Sequence, residues 1–191
     1  MQSYKVIEQI KFLSEKELER FFNRINDKRD RALFLTIYRY GLRVSEATLL
    51  TLDDIDMENR LIYIRRVKNG RSTERRLFPD IRRALNAYLP NRNTGGDALF
   101  TGRCGDLSRS MIQKLFTKYI KGIAKMSVHC LRHTCAIQAL ESGLDILDVQ
   151  DLLGHRSITS TMVYAQITSK RRKKADDILS AGGLRLERRG E

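Results

Sequence analysis

Between Leu61 and Phe78 the apolar residues stop following helical spacing, and this interruption constrains the fold more than any other feature of the chain. Leu61-Ile62-Tyr63-Ile64 is rich in β-branched and aromatic residues and runs into Val67-Lys68-Asn69-Gly70; a second β-prone run returns from Glu74 to Phe78. An Asn-Gly step between two such runs predicts an antiparallel hairpin, with a connection longer than a two-residue turn. Around this hairpin the pattern is helical throughout.

Ser14-Glu15-Lys16-Glu17 is a capping box, and Leu18, Phe21, Phe22 and Ile25 follow it at helical spacing. A second helix is expected over Lys28 to Tyr40, with Leu33, Phe34, Ile37 and Tyr38 inward and Gly41 as its stop. A short helix follows over Arg43 to Leu50. Pro79 opens another that ends near Leu89-Pro90, and a loop covers Asn91 to Asp97. Beyond Leu107 the expectation is helix alone, near 108–124, 129–142, 146–153, 158–168 and 171–180, punctuated by Gly143 and Gly154. The tail from Leu184 is expected to be loose. The fold class is therefore mainly α with a small antiparallel β-sheet (α+β).

Composition narrows the function. No run of apolar residues is long enough to span a bilayer, and the N-terminus lacks the layout of a signal peptide, so a cytoplasmic protein is expected. The three cysteines, Cys104, Cys130 and Cys135, form no C-x-x-C pair and read as small buried thiols. Thirty-six Lys and Arg oppose 23 Asp and Glu, a net charge of +13 that favours a polyanionic partner, with nucleic acid ahead of an acidic membrane. The surplus clusters in residues 60–92 and 170–174.

Taken singly, the residues that could carry chemistry have bland readings. His129 and Arg132 lie at i and i+3 on one helix, with His133 on roughly the same face. A histidine there is usually structural, and Arg132 could pair with Glu141 or Asp145. Arg43 could form an ordinary surface ion pair with Glu46. Lys68 at a hairpin tip reads as solvated. Tyr164 could be a core aromatic beside Ile158, Met162 and Ile167.

Read together, they say more. Gly41-Leu42-Arg43-Val44-Ser45-Glu46, followed by Leu49 and Leu52-Asp53-Asp54-Ile55-Asp56, resembles the first conserved box of the tyrosine recombinases of the phage-integrase family. His129-Cys130-Leu131-Arg132-His133-Thr134 is similar to their H-x-x-R box. Asp148 to His155, then Thr161 and Tyr164-Ala165, is similar to their L-G-H and nucleophile segment in order and spacing. Lys68 occupies the hairpin position of the family's lysine. The resemblance runs from about Phe12 to Ile167.

It implies the catalytic-domain fold of DNA breaking and rejoining enzymes, and a site-specific recombinase that works through a 3′-phosphotyrosine on Tyr164. Arg43 and Arg132 are then a bidentate guanidinium clamp on the scissile phosphate. By the same resemblance His129 assists proton transfer at the nucleophile, His155 donates to the phosphate, and Lys68 is the general acid for the leaving 5′ oxygen. No cofactor and no metal are expected, since two of the three histidines are taken by the pattern and no carboxylate cluster has ligand spacing. Arg65, Arg66, Arg71, Arg75, Arg76, Lys170, Arg171 and Arg172 are the expected phosphate contacts.

The expected partners are double-stranded DNA, further copies of the chain in a tetramer on paired DNA sites, and accessory DNA-bending proteins. Residues 1–11 read as an extension, 12–169 as the catalytic domain, and 170–191 as a basic tail that could pack onto a neighbouring protomer. The catalytic fold begins near Phe12, so the chain reads either as a fragment or as a short form without an N-terminal DNA-clamp domain. Two other readings stay open, a DNA-binding regulator on a recombinase scaffold and a type IB topoisomerase-like relaxing enzyme.

Overall fold

The computed structural model describes residues 10–181 apart from 68, 69, 94 and 104; for 170–172, 174, 175 and 178–181 it describes the backbone alone. Helix α1 (Glu15–Asn23) starts at the capping box. Ser14 Oγ accepts from the Glu17 amide, and the Glu17 carboxylate accepts from the Ser14 amide at 2.9 Å. Helix α2 (Lys28–Arg39) is capped by Asp27, whose carboxylate accepts from the Asp30 amide. The two helices bury Phe21 and Phe34 against Phe116 of α5 (Arg109–Ile120), with centroids 5.5 Å and 5.1 Å from Phe21. Burying one such side chain stabilises the fold by about 1.5–3 kcal/mol.

Gly41 ends α2 at φ +55°, as the sequence predicts, and a Cβ there would lie 2.5 Å from Leu153 Cδ2. The turn that carries Arg43 can therefore press directly against the end of a later helix. Helix α3 (Val44–Ala47) stops three residues short of the expected Leu50, and a 3₁₀ turn (Leu52–Asp54) leads into the sheet.

Strands β1 (Ile55–Asp56), β2 (Leu61–Ile64) and β3 (Thr73–Arg76) form an antiparallel sheet in that order, with Ile62 opposite Arg75 and Tyr63 opposite Glu74. Ile62 and Ile64 point into the core while Tyr63 faces out, the alternation that fixes register. The hairpin is thus present. A second pair, β4 (Thr101–Gly102) and β5 (Gly105–Asp106), is too short to leave a period in the sequence. Between the two sheets α4 (Pro79–Tyr88) opens on Pro79 and packs on α2.

Three more helices complete the domain: α6 (His129–Glu141), α7 (Ile146–Leu153) and α8 (Thr159–Ala181). The expected break near residue 169 does not occur, because no glycine or proline separates the two helical runs, and α8 is continuous. Helix α6 is the centre of this half: it contacts α2, α7 and α8, and Ala136, Ile137 and Leu140 pack with Val149, Leu153, Tyr164 and Ile167.

Candidate active site

The site is assembled around one carboxylate. Glu46, in the four-residue α3, is buried; its Oε1 accepts from Arg43 at 2.7 Å and its Oε2 accepts from Arg66 at 2.8 Å. The carboxylate also closes the first turn by accepting from the Arg43 amide at 2.8 Å. Arg132 lies 3.9 Å from the same Oε2. Burial pushes the Glu46 carboxyl up, but Arg66 and the bonds from Arg43 outweigh it and leave the group below the usual carboxylate range. The Arg43–Glu46 pair is therefore no surface decoration, since it holds three guanidiniums in register.

Arg132 projects from the end of the first turn of α6 and is nearly inaccessible. It donates to the Gly41 carbonyl and, at 2.9 Å, to the Leu153 carbonyl. It does not turn to Glu141 or Asp145. These bonds fasten α6 to the turn before Arg43 and to the end of α7. Burial and the neighbouring Arg43 bring Arg132 down to about 10, so it stays cationic at neutral pH.

Arg66 corrects one expectation. Read from the sequence as a phosphate contact, it is sealed inside, with a fully buried side chain that donates to Glu46, to the Tyr40 carbonyl at 3.1 Å and to the Leu152 carbonyl. Its position just after β2 turns it inward, and its side chain is wholly enclosed (0 % exposed, against 5 % for Arg132), so it presents no donor to DNA. The other hairpin arginines lie outside. Arg65 is exposed and paired with Asp54, and Arg75 is half-buried and paired with Asp151. Arg71 and Arg76 are exposed. Arg71 lines a recess of about 400 Å³ together with Gln150, Asp151, Gly154, His155 and Arg156. Lys68 lies outside the described residues. Lys170, Arg171 and Arg172 fall on α8, but their side chains also lie outside the description.

Helix α7 ends on Gly154 in the left-handed conformation, φ 63° and ψ 39°. The chain then turns so that His155 Nδ1 meets the buried Thr161 Oγ1 at 2.8 Å, and the His155 ring lies parallel to that of Tyr164 with centroids 6.5 Å apart. Tyr164 is 3 % exposed. Its hydroxyl is 2.9 Å from Nδ1 of His133, a residue the sequence placed on the right face of α6 without assigning it a role. His129 occupies the exposed first position of α6.

Electrostatics tie these groups into one site. Burial, then Arg132 and Arg43, holds His155 down at about 4; burial, then His129 and Arg132, does the same to His133. His129 is lowered by desolvation, then by Arg132, Arg109 and Arg43. All three imidazoles are thereby favoured as neutral groups. Burial raises the Tyr164 phenol, against the pull of Arg132 and Arg43. Arginine donors preorganised in a site that also holds a tyrosine hydroxyl can stabilise charge that develops on a phosphoryl group.

The family model described as "Phage integrase family" matches residues 11–171. The chain belongs to that family. Among curated relatives, a tyrosine recombinase XerC of Pelotomaculum thermopropionicum is 37% identical over 163 residues, covering 76% of this chain and 52% of the relative. A tyrosine recombinase XerA of Thermococcus onnurineus is 33% identical over 177 residues, covering 87% and 62% respectively. The integrase-family chain thus spans about half to three-fifths of the length of these relatives.

Solved structures agree on the fold. A crystal structure of XerA recombinase superposes with a TM-score of 0.72 at 30% identity, covering 80% of this chain and 59% of that one. A XerH site-specific recombinase bound to palindromic difH substrate, in a post-cleavage complex, gives a TM-score of 0.72 at 25% identity, covering 88% and 53%. The family's catalytic-domain architecture is therefore present in this integrase-family chain.

Two elements of the site escaped the sequence reading. Glu46 was legible only as a partner for Arg43, and its i+3 spacing was the available signal. His133 directly follows Arg132, and nothing in the spacing distinguished its ring from a structural one. Among the described residues, no group of three or more His, Cys, Asp or Glu converges as a metal site, and no helix is long and apolar enough to cross a membrane.

Proposed function

We propose that the chain is the catalytic domain of a site-specific DNA recombinase that cleaves and rejoins strands through a 3′-phosphotyrosine on Tyr164. The observation that carries this reading is the Glu46-centred set of Arg43, Arg66 and Arg132 standing beside a tyrosine bracketed by two imidazoles. In-line attack on a phosphodiester builds charge on non-bridging oxygens. Two guanidiniums held in place before the reaction stabilise that charge with no metal required.

In this reading Arg43 and Arg132 grip the phosphate, His155 donates from its Nε2 while Thr161 holds its Nδ1, and Lys68 protonates the departing 5′ oxygen. His129 is the expected helper in proton transfer. The phosphotyrosine ester conserves the bond's free energy, so religation consumes no ATP. Arg65, Arg71, Arg75, Arg76, Lys170, Arg171 and Arg172 are the proposed phosphate contacts, positioning the duplex without reading its sequence.

The proposed setting is a tetramer on paired DNA sites in the cytoplasm, with accessory DNA-bending proteins where the sites require them. The segment from residue 170 onward is the proposed contact with a neighbouring protomer. Resemblance to the XerH site-specific recombinase bound to difH substrate supports this reading. A topology assay tests it. Protein incubated with supercoiled plasmid bearing two copies of a cleavable site should yield exchanged or inverted products. Relaxation alone would favour a topoisomerase-like activity, and DNA binding without either would favour a regulator.

A further inference from the structure

The nucleophile's hydroxyl rests on a histidine for which the family resemblance assigns no task. Tyr164 Oη lies 2.9 Å from His133 Nδ1, with ring centroids 5.8 Å apart, whereas His129 stands one turn earlier at the exposed start of α6. We propose that His133, in the task the resemblance gives to His129, is the catalytic residue whose Nδ1 accepts the phenolic proton as Tyr164 attacks the scissile phosphorus. The proposal rests on the recombinase reading above.

Burial assigns the direction of the hydrogen bond. Tyr164 is 3 % exposed, and among the described residues its hydroxyl meets His133 Nδ1. If Nδ1 carried a proton and donated it, the phenolic hydrogen would be left inside the protein without an acceptor, a loss of about 1–3 kcal/mol. Donation from the phenol satisfies both groups and makes His133 the Nε2–H tautomer.

The surroundings keep the imidazole able to accept. His129 and Arg132 act on His133 electrostatically from its own helix, Tyr164 bonds to it from α8, and the His155 ring stacks on the same tyrosine. Burial, then His129 and Arg132, disfavours a charge on the ring and keeps it neutral at neutral pH. A bound phosphodiester brings negative charge to Arg43 and Arg132, which relieves this pressure as the proton arrives. Acceptor and clamp are adjacent residues on one helix, so phosphate binding and proton uptake are coupled through α6.

The step balances. The Tyr164 Oη–P bond forms as the P–O5′ bond breaks; the phenolic proton passes to His133 Nδ1, and the leaving O5′ takes a proton from the general acid assigned to Lys68. Religation returns both protons along the same paths.

The test is single-turnover cleavage of a pool of nicked duplex oligonucleotides, comparing wild type with His133→Gln and His133→Ala, each with natural or ring-fluorinated tyrosine at position 164. Loss of the acceptor should slow cleavage about 100-fold or more. The more acidic fluorinated phenol should recover most of that loss in the variants and change wild type little. Variants that cleave like wild type, or that lose as much with the fluorinated phenol, overturn the proposal. A wild type that forms no adduct overturns the recombinase reading and this step with it.

Nitrogen-15 NMR of the DNA-free protein gives a readout independent of cleavage. His133 Nδ1 should be unprotonated at pH 7 and should shift in Tyr164→Phe. A protonated Nδ1 would overturn the proposal whatever the activity.

Discussion

The side chain of Arg66 passes directly against Gly154: a Cβ on the glycine would stand 2.8 Å from Arg66 Cγ, Cδ and Nε. One residue of the L-G-H segment is therefore small because a buried arginine from the hairpin base runs past it. Gly154 also adopts φ 63°, which an L side chain enters at a cost of roughly 1–2 kcal/mol. Gly154→Ala should lower Tm by about 4 °C or more, at roughly 2–4 °C per kcal/mol for a chain of this size. It should also slow cleavage, because His155 follows the glycine. Calorimetry beside a cleavage assay checks both, and a variant as stable as wild type would contradict the packing argument.

Glu46 is the group on which the arginines depend. Removing its charge in Glu46→Gln leaves the buried Arg66 without a counter-ion, and breaking a buried pair in this way costs about 3–5 kcal/mol. Urea denaturation should show that loss. A second consequence concerns acid. The folded Glu46 carboxyl lies below its ordinary value, so its contribution is present above that value and is lost as pH falls through the folded one. The Gln variant should lack this part of the acid destabilisation.

His133 and His155 add a pH dependence at milder acidity. Both are held at about 4, below the ordinary value near 6.5, by burial first, then by His129 and Arg132 at His133 and by Arg132 and Arg43 at His155. An imidazole kept neutral in the fold contributes stability above the unfolded value and loses it as pH falls from about 6.5 toward 4. Unfolding free energy measured by urea titration should decline through that window. His155→Gln should flatten the decline, and an unchanged slope would contradict the burial of that ring.

Arg132→Lys should not be tolerated. A lysine offers one nitrogen where Arg132 uses two for the Gly41 and Leu153 carbonyls, and it presents no planar fork to phosphate. Cleavage should fall roughly 100-fold or more, in line with loss of one preorganised donor, and single-turnover kinetics measures it.

The salt dependence of DNA binding separates outer from inner arginines. Arg71→Ala should reduce the slope of log K against log salt by about 1, as expected for one lost phosphate contact. Arg66→Ala should leave the slope of the folded fraction unchanged while destabilising the protein, because Arg66 is buried.

Much of the architecture was legible because local signals agreed with the fold. The Ser14 capping box, the Gly41 stop, the β-prone run Leu61-Ile62-Tyr63-Ile64, and the Gly154 punctuation each rest on a short-range cause. The unbroken α8 was missed since polarity changes near residue 169 without any residue that ends a helix. At the site, motif spacing brought Arg43, Arg132, His155 and Tyr164 to one place. It could not separate an inward Arg66 from an outward Arg65, since adjacent residues on an extended chain face opposite ways and the side that meets Glu46 is decided by packing across distant segments. The contact between His133 and Tyr164 likewise spans 31 positions and depends on how α6 crosses α8.

The most direct test of the central claim is to map the covalent adduct. Protein would be trapped on nicked duplex oligonucleotides, digested, and the DNA-linked peptide sequenced by mass spectrometry. The account predicts a nucleotide joined to Tyr164 through its 3′ phosphate, absent in Tyr164→Phe. An adduct on a different tyrosine, or one undiminished in Tyr164→Phe, would contradict it.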